Sequence, residues 1–196
     1  EMELREEIRR YEPFNEQERE DKKEILRQME QADHILTRDN RNAHITVSAW
    51  IMDRDRKKVL MAYHNLYQSW AWLGGHADGD ADLKAVALKE IREESGLESV
   101  RFVTEDIFSL EILTVDGHEK RGSYVPSHLH LNVTYLLEAD PELPLRIKED
   151  ENSEIGWIGV EEIERRSTEK WFVERIYSKL CKKAQSLRNG KLAILE

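Results

Sequence analysis

Between Gly74 and Leu97 the chain reads GGHADGDADLKAVALKEIREESGL, and this stretch constrains the fold more than any other. Two glycines and a run of aspartates precede a segment of helical period that stops at Gly96. Glu90, Glu93 and Glu94 stand at i, i+3 and i+4, so they share one helical face. Like charges at that spacing repel by roughly 0.2–0.5 kcal/mol per pair. Leu83, Ala87, Leu88 and Ile91 fall on the adjoining arc, which puts an acidic edge beside a packing face. Hard divalent cations take oxygen ligands, so the cluster is a candidate cation site. A solvated acidic face explains a bare pair of glutamates. It does not explain the double glycine before the helix or the Gly96 stop after it.

The stretch resembles the signature box of the Nudix hydrolases: Gly, five free positions, Glu, seven free positions, then Arg-Glu-U-x-Glu-Glu-x-Gly-U, with U bulky and apolar. Gly75, Glu90, Ile91, Glu93, Glu94, Gly96 and Leu97 fall in register. Two positions depart. Ala81 stands where the family has its first Glu, and Lys89 stands where it has Arg. In the family those two residues pair and support the loop–helix junction. Ala81 offers no acceptor and Lys89 lacks the planar guanidinium fork, so the departures bear on junction rigidity and rate more than on the glutamates. Asp80 or Asp82 could supply a carboxylate one position away, or cap the helix. The resemblance extends from about Ala43 to Val160.

The composition fits that size of domain. Charged residues are 36% and hydrophobic residues 39% of a 196-residue chain, ordinary for a soluble protein. No apolar run approaches the roughly 20 residues of a membrane helix. The charged N-terminal stretch does not read as a secretory leader. A lone Cys181 cannot form an internal disulfide, so a reducing, cytoplasmic compartment is expected. A net charge of −10 argues against nucleic acid as a bulk partner. An anionic substrate would need local cations.

Residues 1–40 read as a helical N-terminal extension and 41–196 as the main domain, ending in a C-terminal helix. Pro13 divides the extension, and Asn15 with Glu18 makes a capping-box start. Ile25, Leu26, Met29, Ala32 and Ile35 form a narrow apolar stripe, suited to an arm packed on the domain or to a dimer contact. His44–Met52 alternates as a strand, Val59–Tyr63 returns, and Tyr67, Trp70 and Trp72 crowd the approach to the glycines. Trp72 reads as core; Tyr67 and Trp70 are either core or a stacking surface. Ile107–Val115 reads as a strand followed by a loop, 116–127, whose His118, Lys120 and Arg121 offer a phosphate grip or a solvated tip.

His128–Leu137 is the strongest strand signal, with Leu129, Leu131, Val133, Tyr135 and Leu137 on one face and His128, His130, Asn132 and Thr134 on the other. The polar face must meet solvent or a pocket. His128, His130 and His44 suggest a ligand-lined pocket; the Cys or Glu spacing of a structural zinc site is missing. A histidine beside bound phosphate would hold its proton to higher pH. The alternative is a buried, hydrogen-bonded structural pair. Thr168–Leu187 reads as a final helix, with Phe172, Ile176 and Leu180 at steps of four.

What the resemblance implies is an α/β fold, the Nudix α/β/α sandwich with a mixed, curved sheet, here with the N-terminal helical extension. It further implies hydrolysis of a diphosphate linkage, the broad substrate class being a nucleoside diphosphate joined to another moiety. The implied cofactor is Mg2+ (or Mn2+), with Gly75, Glu90, Glu93, Glu94 and a later acid as its site. Of Glu149, Asp150 and Glu151 in the turn 148–153, Glu151 is the first choice. Glu90, Glu93 and Glu94 are the catalytic candidates. His44, Tyr67, Trp70, His76, Arg121, His128 and His130 are the substrate-binding candidates. The expected partner is a small-molecule diphosphate, with no nucleic acid or membrane, and the protein a monomer or homodimer. A Nudix-fold binding module weakened in catalysis is the alternative. A prenyl diphosphate isomerase on this fold would need a cysteine in a pocket strand, and Cys181 lies in the final helix pattern.

Overall fold

Alternating strands and two helical ends are what the periodicities predict, and the computed structural model, which describes residues 1–188, contains both. The described chain divides into two compact units. One comprises 1–48, 74–88 and 104–135; the other comprises 49–73, 89–103 and the chain from 136 onward. Strands β1 (Ala43–Met52) and β9 (His128–Glu138) and helix α3 (Leu83–Ser95) each run through both.

In the first unit, α1 (Met2–Arg10) and α2 (Glu16–Gln31) are separated around Pro13. The Asn15 side chain accepts the Glu18 N–H at 2.9 Å, the cap expected from the sequence. Ile25, Met29 and Ile35 of the apolar stripe are buried. The arm packs on β6 (Ser109–Val115) through more than apolar contact. Leu110 and Ile112 donate their N–H groups to Glu18 at 3.4 Å and Asp21 at 3.0 Å. The Tyr11 hydroxyl lies against Glu18 and 2.9 Å from the Phe108 carbonyl. Carboxylates of α2 thus occupy backbone donors of β6 that would otherwise invite another strand.

β4 (Leu73–His76) pairs with β1, and β6 pairs antiparallel with β9 from Ser109↔Thr134 to Val115↔His128. A residue with a side chain cannot replace Gly74: a Cβ there would lie 2.2 Å from the Val47 carbonyl. Leu129 donates to the Asn42 carbonyl and, in the other unit, Ala139 donates to that of Met52. The pairing advances in step, so β1 and β9 are parallel neighbours in an otherwise antiparallel set, and the sheet is mixed.

Two expectations change here. The polar residues of β1 and β9 do not all face a pocket. Thr46, Ser48, Asn132, Thr134, Ser109 and Glu111 are buried and bonded to one another, closing a polar layer inside the fold. The stretch 116–127 is not wholly a loop: β7 (His118–Lys120) and β8 (Ser123–Val125) form a hairpin. Its turn residues Arg121 and Gly122 both have positive φ, 50° and 77°, the geometry that matches strand twist.

In the second unit the strand order is β10 (Asn152–Gly159), β2 (Lys58–His64), β1, β9, β5 (Arg101–Phe102), with β3 (Ser69–Ala71) on β2. After α4 (Ile163–Arg166) the chain makes wide π-type turns over Phe172–Tyr177 and continues as α5 (Ser178–Arg188). The sequence suggested one regular helix. The widened turns let Ile176 and Tyr177 be buried side by side. Tyr177 stacks on Trp50 at 5.3 Å between centroids and meets Trp72 edge-on at 5.6 Å; Trp72, expected in the core, is half-buried at its margin. The mixed, curved sheet with its flanking N-terminal helices is the sandwich architecture expected from the sequence, extension included.

Candidate active site

The helix that carries the glutamates is fixed at both ends. Asp82 accepts the Ala85 N–H at 3.1 Å and so caps α3, while Asp80 accepts the Asp82 N–H at 2.9 Å. At the other end Gly96, at φ +74°, donates to the Arg92 carbonyl at 2.9 Å, a left-handed stop that glycine takes without strain. The Arg146 N–H then donates to the Ser95 carbonyl at 2.9 Å, tying the following loop to the helix end. That tie brings the turn 148–151 to the acidic face.

On that face Glu94 is buried, Glu90 half-buried and Glu93 exposed. Lys148 stands among the carboxylates. Its Nζ lies 3.0 Å from Glu151 Oε1 and 3.8 Å from Glu93 Oε2, and Lys89 reaches Glu93 from outside at 3.9 Å. The turn is held in place by the Asn65 N–H, which donates to the Glu151 carbonyl at 3.0 Å. Burial, then the Glu93 carboxylate, pushes the Glu90 carboxyl up to about 7; Glu151 adds to this, and Lys148 and Lys89 oppose it. Burial works against the Lys148 charge too, but its Glu151 hydrogen bond and the surrounding carboxylates hold it above the usual lysine range. Glu149 and Asp150 are exposed on the same turn.

This electrostatic strain has a measurable consequence. A Glu90 held at about 7 when folded, against 4.5 as its ordinary value, keeps a proton that the unfolded chain has lost. Stability therefore falls as pH rises between those values and levels off above the upper one. We expect the melting temperature of the metal-free wild type, taken as a difference from Glu90→Gln, to fall across that window; Glu7 and Glu169, also raised by burial, and the buried histidines titrate in both proteins and cancel in the difference. A Glu90→Gln slope equal to that of the wild type would remove the assignment.

The histidines form a second cluster, in the first unit. His44 on β1, His76 on β4 and His130 on β9 place ring nitrogens within 4.8 Å of one another. Among the described residues this is the one set of three such side chains drawn so close; the glutamates are not. His128 completes the group, its Nε2 3.2 Å from that of His130 and its ring centroid 4.9 Å from that of His44. Burial, then the Arg38 charge and His44, holds His76 down to about 3. Burial, followed by the neighbouring histidines, holds His130 to about 2. The expected phosphate-bound histidine would shift the other way; burial in the company of other imidazoles disfavours the charge.

The remaining candidates are placed as follows. Gly75 is half-buried on β4. Tyr67 is exposed beside the His64 ring, at 4.6 Å. Trp70 is only 9% exposed, edge-on to Tyr63 with the Arg166 guanidinium 5.9 Å over its ring. Arg121 is exposed on the β7–β8 turn. Sequence reasoning missed Lys148 as a site residue. Its one signal was the i,i+3 spacing to Glu151, which any surface turn can show.

A family model described as the NUDIX domain matches residues 42–180, beginning just after the helical extension. No curated protein matches the chain. Among solved structures, a C. elegans Ap4A hydrolase is 17% identical, with TM-score 0.53, covering 75% of this chain and 98% of that one. The MutT protein of Methanosarcina mazei Go1 is 18% identical, TM-score 0.52, covering 78% and 99%. The E. coli dihydroneopterin triphosphate pyrophosphohydrolase is 13% identical, TM-score 0.52, covering 70% and 95%. At these identities the likeness is one of fold.

Proposed function

We propose, from the premise that this chain belongs to the NUDIX family, that it hydrolyses a diphosphate linkage with a divalent cation held at Glu90, Glu93 and Glu94. The observation that carries this is the acidic cluster itself. Glu93 and Glu151 reach one ammonium, that of Lys148, at 3.8 and 3.0 Å, Glu94 is buried on the same helix, and burial, then the Glu93 carboxylate, pushes Glu90 up to about 7. The donor set is all oxygen, which suits Mg2+ or Mn2+. Such an ion, when bound, neutralises phosphate oxygens and lowers the pKa of a coordinated water.

The chain's own groups supply the rest. Glu90, Glu93, Glu94 and Glu151 offer ligand oxygens, and one carboxylate of this cluster would take the water's proton. Lys148, paired here with Glu151, would offer its ammonium to an anionic phosphate oxygen. The substrate class we assign is a nucleoside diphosphate linked to another moiety. Structures similar in fold include enzymes described as acting on Ap4A and on dihydroneopterin triphosphate, which are phosphoanhydrides of the same chemical kind.

The test is a panel of such diphosphates incubated with the protein and Mg2+ or Mn2+, reading the phosphate species released. Turnover that requires the metal supports the proposal. Binding of panel compounds with no turnover under either metal would overturn it and leave a binding module.

A further inference from the structure

The four histidines answer to nothing in the proposed hydrolysis, and their geometry says more than their burial. His44 Nδ1 lies 2.9 Å from the Asn40 carbonyl, so it carries the hydrogen and donates it. Its Nε2 is left with a bare lone pair, and that atom is buried without a hydrogen-bond partner. The residue is 4% exposed, so water does not serve it from the surface. A buried acceptor left unsatisfied costs about 1–3 kcal/mol. The His128 ring is anchored through Nδ1 in the same way, but its Nε2 has a partner in His130. That Nδ1 donates to the Pro126 carbonyl at 2.8 Å, which turns the lone-pair Nε2 toward His130 at 3.2 Å. A ring fixed through one nitrogen by a backbone carbonyl, with the other bare, is the usual arrangement of a metal-ligating histidine.

We propose that His44, His76 and His130, with His128 in the fourth position, bind a borderline divalent transition-metal ion of the Zn2+ type, at a site separate from the carboxylate cluster. Imidazole nitrogen suits Zn2+, Co2+ and Ni2+, whereas Mg2+ prefers oxygen, so the two clusters sort metals by chemistry. The nearby Asp78 is engaged by Arg38 through two hydrogen bonds, at 2.9 and 2.7 Å. The ring nitrogens already lie within 4.8 Å of one another. Tetrahedral Zn–N bonds of about 2.1 Å need nitrogens about 3.4 Å apart, so side-chain movements of about an ångström complete the shell. The ligands come from β1, β4 and β9, three adjacent strands, so the ion would staple their registers. Sequence spacing hid the site because the ligands are brought together by sheet pairing and not by a short motif.

The experiment titrates Co2+, then Zn2+, into the full chain, stripped of metal and of any affinity tag. Expected are one equivalent of Co2+ giving the intense visible absorption of a tetrahedral nitrogen site, displacement by Zn2+, and a higher melting temperature. His130→Gln and, separately, His76→Gln should weaken Co2+ affinity about tenfold or more, with circular dichroism confirming the fold. Glu94→Gln should keep the spectrum, which separates this site from the carboxylate one. Absence of the tetrahedral spectrum in the wild type would overturn the proposal. So would a spectrum that persists unchanged in folded His76→Gln, or one abolished by Glu94→Gln.

Discussion

Glu94→Gln is expected to lower Mg2+-supported kcat/KM by about 10²–10⁴-fold, the range typical of losing a group that acts on the reacting proton or its metal-bound water. Glu94 is only 5% exposed, so its carboxylate carries a desolvation cost. Glutamine keeps the shape and the helix and removes only the charge. Metal affinity and turnover should fall together in a variant that still folds. The measurement is a Mg2+ titration of turnover beside a thermal melt. Unchanged kcat/KM at saturating Mg2+ in a folded variant would move the catalytic site away from α3 and sink the functional proposal with it.

Reading the sequence reached this helix because everything that defines it is local. The spacing of Glu90, Glu93 and Glu94, the cap at Asp82 and the stop at Gly96 all lie within a few turns of one element. The strands were legible for the same reason, since alternation is read within a strand. What escaped was set by pairing between strands far apart in the chain. His76 comes next to His44 and His130 only because β4 and β9 both pair with β1. Lys148 meets Glu93 only because Arg146 is tied to the end of α3. The β7–β8 hairpin was hidden by its turn: Arg-Gly is a weak signal where Asn-Gly would have been a strong one, and Arg121 bears the positive φ regardless. The interior polar layer was misread because alternation tells which residues share a face, not whether that face is covered. Here the polar partners on β1, β6 and β9 satisfy one another and need no solvent.

That layer carries the second large effect: Asn132→Leu is expected to destabilise the fold by about 3–5 kcal/mol, from a cost of about 1–3 kcal/mol for each buried polar group left unpaired. Asn132 is the hub. Its Oδ1 accepts from Thr46 at 2.8 Å and Ser48 at 3.2 Å, and its Nδ2 donates to Glu111 Oε2 at 3.1 Å and to Thr134 at 3.2 Å. Leucine has a similar volume, so no cavity accompanies the change, and the loss reports the network. Two hydroxyls lose their acceptor, and the fully buried Glu111 keeps the Thr134 hydroxyl at 3.0 Å and that of Ser109 but loses the amide. Ser48→Ala, by contrast, removes one of two donors to the same oxygen and leaves Thr46 in place, so about 1 kcal/mol is expected. The ratio of the two effects is the informative quantity. Asn132 takes part in four of these bonds and Ser48 in one, so the loss at Asn132 should be about three to five times that at Ser48. Urea unfolding midpoints at constant m-value measure both. Asn132→Leu within about 0.5 kcal/mol of the wild type, the scatter of ordinary surface substitutions, would show that the layer is not closed.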